Sequence, residues 1–149
     1  GLIRSSLPGY ASLAVYPYEK EEIVAICKPD HRLMQNGDIL DIAQLADYPL
    51  AVPFDCLDLV RSSFGHRLLA PNISIITSSN ATAIEWSRSF GTVALASLTT
   101  ADFQHIKDLA VKHFSDDNLF ITSAFIVNKE YPLSRAARNF LGFHGVDVG

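Results

Sequence analysis

The sequence is short of cysteine and has no dense run of basic residues, and both shortages narrow what it can do. Cys27 and Cys56 are the only cysteines in 149 residues. Neither belongs to a CxxC or to a Cys/His cluster with zinc spacing, which argues against a disulfide scaffold and a zinc site. Reduced thiols and a cytoplasmic location are the corresponding expectation. His31, His66, His105, His113 and His144 are scattered, with no pair at helical i,i+4 spacing, so no metal is expected. Lys and Arg number 12 against 16 Asp and Glu, for a formal charge of -4. That balance lacks the electrostatic footprint of phosphate binding, and no direct contact of this stretch with DNA is expected. No apolar run approaches the roughly 20 residues of a membrane span, and Gly1-Leu2-Ile3-Arg4 is no leader pattern, so no membrane partner is expected. GxGxxG, P-loop and nucleophile-elbow patterns are missing, and nothing gathers Asp55, Glu85 and the histidines into acid-base machinery. The expectation is therefore no enzyme, no catalytic residue and no cofactor.

What is present is an apolar chain with regular punctuation. Hydrophobic residues make up 48% and charged residues 19%, enough for a chain of this length to bury a core of its own. Residues 1–6 read as a strand that turns at Leu7-Pro8-Gly9, and residues 13–28 as one long strand or two, with the charged Glu19-Lys20-Glu21-Glu22 in the middle. A short helix is expected over 42–46, because Asp41 can cap it and Gln44 occupies the capping-box position. Leu50-Ala51-Val52, between Pro49 and Pro53, reads as a strand buried on both faces. Leu57, Val60, Phe64 and Leu68 recur at helical spacing, predicting a helix over 56–69 with Asp55 as its cap. A strand over 73–77 leads through Thr77-Ser78-Ser79-Asn80 into a helix over 81–90 that Gly91 stops, and 92–96 is again a short buried strand. Thr99 or Thr100 could cap a short helix through Phe103, and 109–114 and 119–128 are extended. Pro132 suits the start of a last helix with Leu133, Ala136, Ala137, Phe140 and Leu141 on its buried face. Strands alternating with helices predict an α/β fold on a mainly parallel sheet.

Six segments in this order resemble the effector-binding domain of LysR-type transcriptional regulators. Gly1-Leu2-Ile3-Arg4 is similar to the end of that family's "DLAIVR" strand, and Glu22-Ile23-Val24-Ala25-Ile26 followed by Pro29-Asp30-His31-Arg32-Leu33 to its strand running into "DHPL". Ile42-Ala43-Gln44-Leu45-Ala46-Asp47-Tyr48-Pro49-Leu50 resembles "LADLADYPLI", and Gly91-Thr92-Val93-Ala94-Leu95-Ala96 resembles "GLGIALLP". Phe125-Ile126-Val127 is similar to the late strand, and the 131–141 segment, from Tyr131-Pro132-Leu133-Ser134 onward, to "RPLSPAARAFLDFL". The chain departs from these patterns at Arg32, at Ser89-Phe90, and at Ala96-Ser97, where Leu-Pro is frequent. The segment 90–98 is thus the part whose shape the resemblance prescribes least.

The resemblance implies a type 2 periplasmic-binding-protein-like fold of two subdomains joined by crossover strands, with the first subdomain incomplete. Residues 1–21 would be the end of that subdomain and the first hinge strand, 22–112 the second subdomain, and 113–149 the return strand and last helix. It implies a small-molecule effector, which could be a carboxylate, held between the subdomains. It also implies self-association as dimer or tetramer, and DNA contact only through a winged helix-turn-helix that lies outside this sequence. A fragment of that kind would expose an apolar face around Phe140 and Phe143. The nearest alternative is a solute-binding protein of a transport system with the same fold.

Ligands in open α/β sheets bind beyond the carboxyl ends of the strands. That rule points to Phe54 and Asp55 after the 50–52 strand, and to Ser79, Asn80, Ala81 and Thr82 at a helix start, where free amides favour anions. The resemblance adds Ser5 and Ser6 from the first subdomain. Each has a plainer reading: Ser79 and Asn80 as helix caps, Asp55 as a cap, Trp86 as core, and Arg4 as an exposed charge rather than a carboxylate partner.

Overall fold

The computed structural model describes residues 2–4, 13–99, 102–128, 134–143 and 145. The expectations for Ser5, Ser6, the 7–9 turn, Thr100, Pro132 and Leu133 lie outside these residues. The chain forms two compact units, one of Gly1–Lys20 and Ile121–Gly149, the other of Glu21–Phe120. They are called unit 1 and unit 2. Strands β2 (Leu13–Cys27) and β8 (Phe120–Asn128) carry the chain from one to the other.

Unit 2 is built on β2 together with β3 (Ile39–Leu40), β4 (Leu50–Pro53), β5 (Ile73–Thr77), β6 (Val93–Leu98) and β7 (Ala110–Phe114). Their spatial order is β5-β4-β6-β2-β7-β3. The sheet is mixed. β4 lies parallel to β5 and β6, and β3 parallel to β7, whereas β2 is antiparallel to both β6 and β7. The parallel part follows from its connections, because α1 (Leu57–Gly65) and α2 (Asn80–Phe90) are the crossovers that parallel neighbours require. β2 arrives from unit 1 and needs no such crossover.

The core explains why β4 and β6 are short and apolar. Every residue of both is buried. Ala51 of β4 and Ala94 and Ala96 of β6 meet Ala83 and Ile84 of α2, with Val24 and Ile26 of β2 in the same cluster. The small side chains let the helix lie close on the sheet at interior packing density. Trp86 is half-buried against this cluster, its ring 4.3 Å from that of Phe90, so it is packed as core. Ile23, Ala25 and Cys27, on the other face of β2, are fully buried as well.

Local signals account for several element ends. The Asp41 carboxylate accepts from Ala43 N at 2.8 Å and Gln44 Oε1 accepts from Asp41 N at 2.8 Å, completing the capping box. The expected short helix over 42–46 is a 3-10 turn, Ile42–Leu45. Gly91 stops α2 in the left-handed conformation, at φ 67°. β6 begins at Val93 and runs on to Leu98, so Ala96-Ser97, where the chain departs from the family pattern, are extended, while Ser89-Phe90 belong to the end of α2.

Three expectations need correction. Asp55 does not cap α1. A 3-10 turn, Phe54–Cys56, leads into that helix, and its N-cap Cys56 already has φ -93° and ψ -12° with no side-chain cap bond. An extended residue, from which a side chain can fold back onto the first turn, is missing there. α1 also ends at Gly65 instead of 69, and Leu68 takes a left-handed φ of 56°. Finally, Thr99 donates through both N and Oγ1 to the Asp102 carboxylate, ahead of a 3-10 turn Asp102–His105.

In unit 1, β1 (Leu2–Arg4) pairs antiparallel with β8, Ile3 opposite Ala124. α3 (Arg135–Phe143) starts with the Ala137 amide donating to Ser134 Oγ at 3.1 Å. Among the described residues of its expected buried face, Leu141 alone is buried. Ala136 is exposed, Ala137 half-buried, and Phe140 and Phe143 are 54% and 87% exposed.

Candidate functional site

The carboxyl ends of β4, β5 and β6 lie side by side, and three segments leave the sheet of unit 2 there. After Pro53 comes the turn Phe54–Cys56, which packs against β6. After Thr77 the chain enters α2, and after Leu98 it continues to Thr99. This places Phe54, Asp55, Ser79, Asn80, Ala81 and Thr82 along one rim. Ser5 and Ser6 lie outside the described residues.

The α2 start is built by short hydrogen bonds. Thr77 Oγ1 donates to Ser79 O at 2.8 Å, fixing the bend between strand and helix. Ser79 is extended (φ -150°, ψ 160°) and its Oγ accepts from Thr82 N at 3.2 Å, as an N-cap does. Its Oγ also lies 3.0 Å from Thr82 Oγ1. Ser79 and Thr82 thus satisfy each other in part. The amides of Asn80 and Ala81 begin the helix, where its dipole favours negative charge.

Asn80 does not use its side chain as a cap. Its Nδ2 donates to Ser97 O at 2.8 Å and to Ser97 Oγ at 3.3 Å, while its Oδ1 accepts from Ser97 N at 3.2 Å. The carboxamide therefore grips the backbone of β6 from both sides of one residue. Ser97, absent from the sequence-based candidates, is the partner that makes this possible. The only signal was its place among the departures from the family pattern, where a proline would have no N–H to offer.

Phe54 is 73% exposed at the rim. Asp55 is half-buried, and its Oδ1 accepts from Cys56 Sγ at 3.6 Å. Cys27 and Cys56 are both buried thiols outside any disulfide; burial raises the pKa of the Cys27 thiol, and the nearby Lys112 opposes that rise. Among the described residues no group of three or more His, Cys, Asp or Glu could hold a metal ion, and no helix is long and apolar enough to cross a membrane. Two surface depressions of unit 2, of about 400 Å³ beside Lys28, Arg88 and Asp108 and about 460 Å³ beside His31, Asp47 and Tyr48, include none of the expected contacts.

Known structures share this fold. The effector-binding domain of QuiR in complex with shikimate aligns with a TM-score of 0.78 at 18% identity, covering 96% of this chain and 69% of that one. The regulatory domain of MetR, a LysR family regulator from N. meningitidis, gives 0.74 at 16% identity over 96% and 67%. Full-length CbnR complexed with its target DNA gives 0.74 at 15%, and there the chain spans 49% of the relative. At such identities the likeness concerns the fold alone. No curated protein matches the sequence. The sequence itself matches the LysR substrate binding domain family over residues 2–144, and the chain belongs to that family.

Proposed function

We propose that this chain is the effector-sensing part of a LysR-type regulator, that it carries out no chemistry, and that the rim of unit 2 contacts the effector. The family match over residues 2–144 carries this reading. The rim supplies its chemistry: the open first-turn amides of Asn80 and Ala81, the hydroxyls of Ser79 and Thr82, the exposed ring of Phe54 and the carboxylate of Asp55. A helix start of this kind suits a small carboxylate, which the amides and dipole would hold without a cationic side chain. Ser5 and Ser6 as contacts rest on the resemblance alone.

An effector acts by favouring one arrangement of the protein over another, to the extent that it binds the two differently. In the regulator this bias would reach a winged helix-turn-helix outside this sequence, through a dimer or tetramer whose paired heads engage spaced half-sites. The joining segments of β2 and β8 would serve as the hinge.

The test is a titration of the isotope-labelled chain with shikimate and a panel of small monocarboxylates, followed by amide NMR. Binding should move the Asn80 and Ala81 resonances, and Phe54→Ala should weaken it while leaving the unbound spectrum unchanged elsewhere. Shifts confined to the depression beside Lys28 and Arg88 would refute the rim as the site.

A further inference from the structure

Asn80 was a candidate ligand contact, yet its carboxamide is already committed. Both its donor and its acceptor face Ser97. The registered pairs between β4 and β6 end at Ala51 and Ala94, so beyond that point β6 has no paired strand on its β4 side among the described residues. The carboxamide fills this place, offering an N–H and a C=O as a neighbouring strand would.

The geometry continues across the sheet. Ser97 stands opposite Ile23 in the antiparallel β2–β6 pair. Because the N–H and C=O of Ser97 both turn toward Asn80, Ile23↔Ser97 is a non-hydrogen-bonded pair, the kind in which opposite residues lie closest. Ile23 in turn points its own amide the other way and donates to Leu119 O at 3.0 Å. Asn80, Ser97, Ile23 and Leu119 thus form one row perpendicular to the strands. The row ends where the chain leaves unit 2, since Glu21 and Phe120 are its boundary residues.

We propose that Asn80 and Ser97 are positioning residues: the grip of the Asn80 carboxamide on the Ser97 backbone ties the first turn of α2 to the segments of β2 and β8 that leave unit 2. A shift of that turn is carried to Ser97 by the carboxamide bonds and from there to Ile23 by the register and close packing of the non-hydrogen-bonded pair, rather than through a loop. The proposal rests on the sensor reading for its purpose, since it links the proposed effector rim to the joining strands. Its mechanics do not depend on any effector. The Ser97 N–H is indispensable to the arrangement, and a proline at that position could not take part.

Residue-resolved hydrogen exchange on the full chain tests it without a ligand, so a negative result leaves the sensor reading standing, and failure of that reading leaves the row in place. Asn80→Ala removes the grip. Ser97→Ala keeps it, because the main bonds go to the backbone. Gly91→Ala serves as a control that lowers stability from the other end of α2. Asn80→Ala should speed exchange at Ser97 and at Ile23 together by roughly 10- to 30-fold, the factor that loss of two ordinary hydrogen bonds implies, while Leu95 in the same strand changes less. Ser97→Ala should leave both near wild type. If Asn80→Ala fails to fold, Asn80→Asp, which keeps the acceptor and loses the donor, should give the same pattern at smaller amplitude. Acceleration at Ser97 with Ile23 unchanged, or a pattern indistinguishable from that of Gly91→Ala, would overturn the proposal.

Discussion

Replacing Arg67 by Met keeps the aliphatic stem and removes the guanidinium, and it tests how unit 2 is held together. Arg67 reaches Asp41 ahead of the Ile42–Leu45 turn, with Nε to Oδ1 at 2.5 Å and Nη2 to Oδ2 at 3.1 Å. Its Nη1 donates to Ser63 O at 3.0 Å and lies 3.4 Å from Asp116 Oδ2. Ser63 Oγ donates to the same carboxylate, and the Asn118 amide donates to its other oxygen. Three segments distant in sequence thus meet on one guanidinium. The Asp41 side chain is 46% exposed, so that pair contributes only about 0.5 to 1 kcal/mol. Asp116 is 8% exposed; losing the cation leaves it two neutral donors and leaves Ser63 O without its partner, which together cost about 1 to 2 kcal/mol. The expected loss is about 2 kcal/mol, read as a lowered urea midpoint at unchanged slope.

The pH dependence gives a second reading. Arg67, and then the Ala43 amide, hold the Asp41 carboxyl below its ordinary pKa, while Ser63 is the leading cause for Asp116, ahead of Asn118 and Arg67. Carboxyls depressed in the folded state contribute stability that is fully present above the ordinary carboxylate range and is lost as the pH falls through their folded values. Arg67→Met should flatten the acid limb of stability mainly through Asp41, and Asp116 should keep most of its share. A variant within about 0.5 kcal/mol of wild type, with an unchanged acid limb, would refute the assignment.

Other outcomes follow from single groups. Thr92 Oγ1 is buried without a hydrogen-bond partner, so the isosteric Thr92→Val should stabilise the fold by about 1 kcal/mol, seen as a raised Tm. Gly91 sits at φ 67° with open space where a methyl group would stand, so Gly91→Ala should cost about 1 to 2 kcal/mol from backbone strain alone in urea titrations. His31 Nδ1 accepts from Leu33 N at 3.0 Å, which requires a neutral ring at that nitrogen, and burial is the main cause of its lowered pKa. The stability it contributes is present above the ordinary histidine pKa and lost as the pH falls through the lower folded value; His31→Asn, which keeps an acceptor, should remove that component from a stability profile taken between about pH 7 and about pH 5.

What the sequence determined by itself is what short-range bonds and periodicity write into neighbouring residues. The Asp41–Gln44 capping box, the Ser79 cap with its Thr82 partner, the left-handed Gly91 and the buried runs of β4 and β6 all depend on residues within a turn of one another, or on composition alone. The strand-helix alternation placed Phe54, Asp55 and the 79–82 turn at strand ends, so the rim was legible before any coordinate. The two-subdomain fold was implied separately, by the resemblance of six ordered segments to the LysR effector-binding domain. The Asp55 cap failed because a 3-10 turn, too short to carry a periodic signature, replaced the expected helix start. Tertiary structure alone decided what joins those pieces. The chain offered Asn80 as helix cap or ligand contact; the position of β6, which brings Ser97 across 17 residues, commits its carboxamide to a clip that neither reading contained. Nothing beside Arg67 in the chain points to its partners Asp41 and Asp116, which arrive from 26 and 49 residues away. Such bonds form only after hydrophobic burial has fixed which strand lies beside which, and that ordering is a property of the packed core rather than of any local segment.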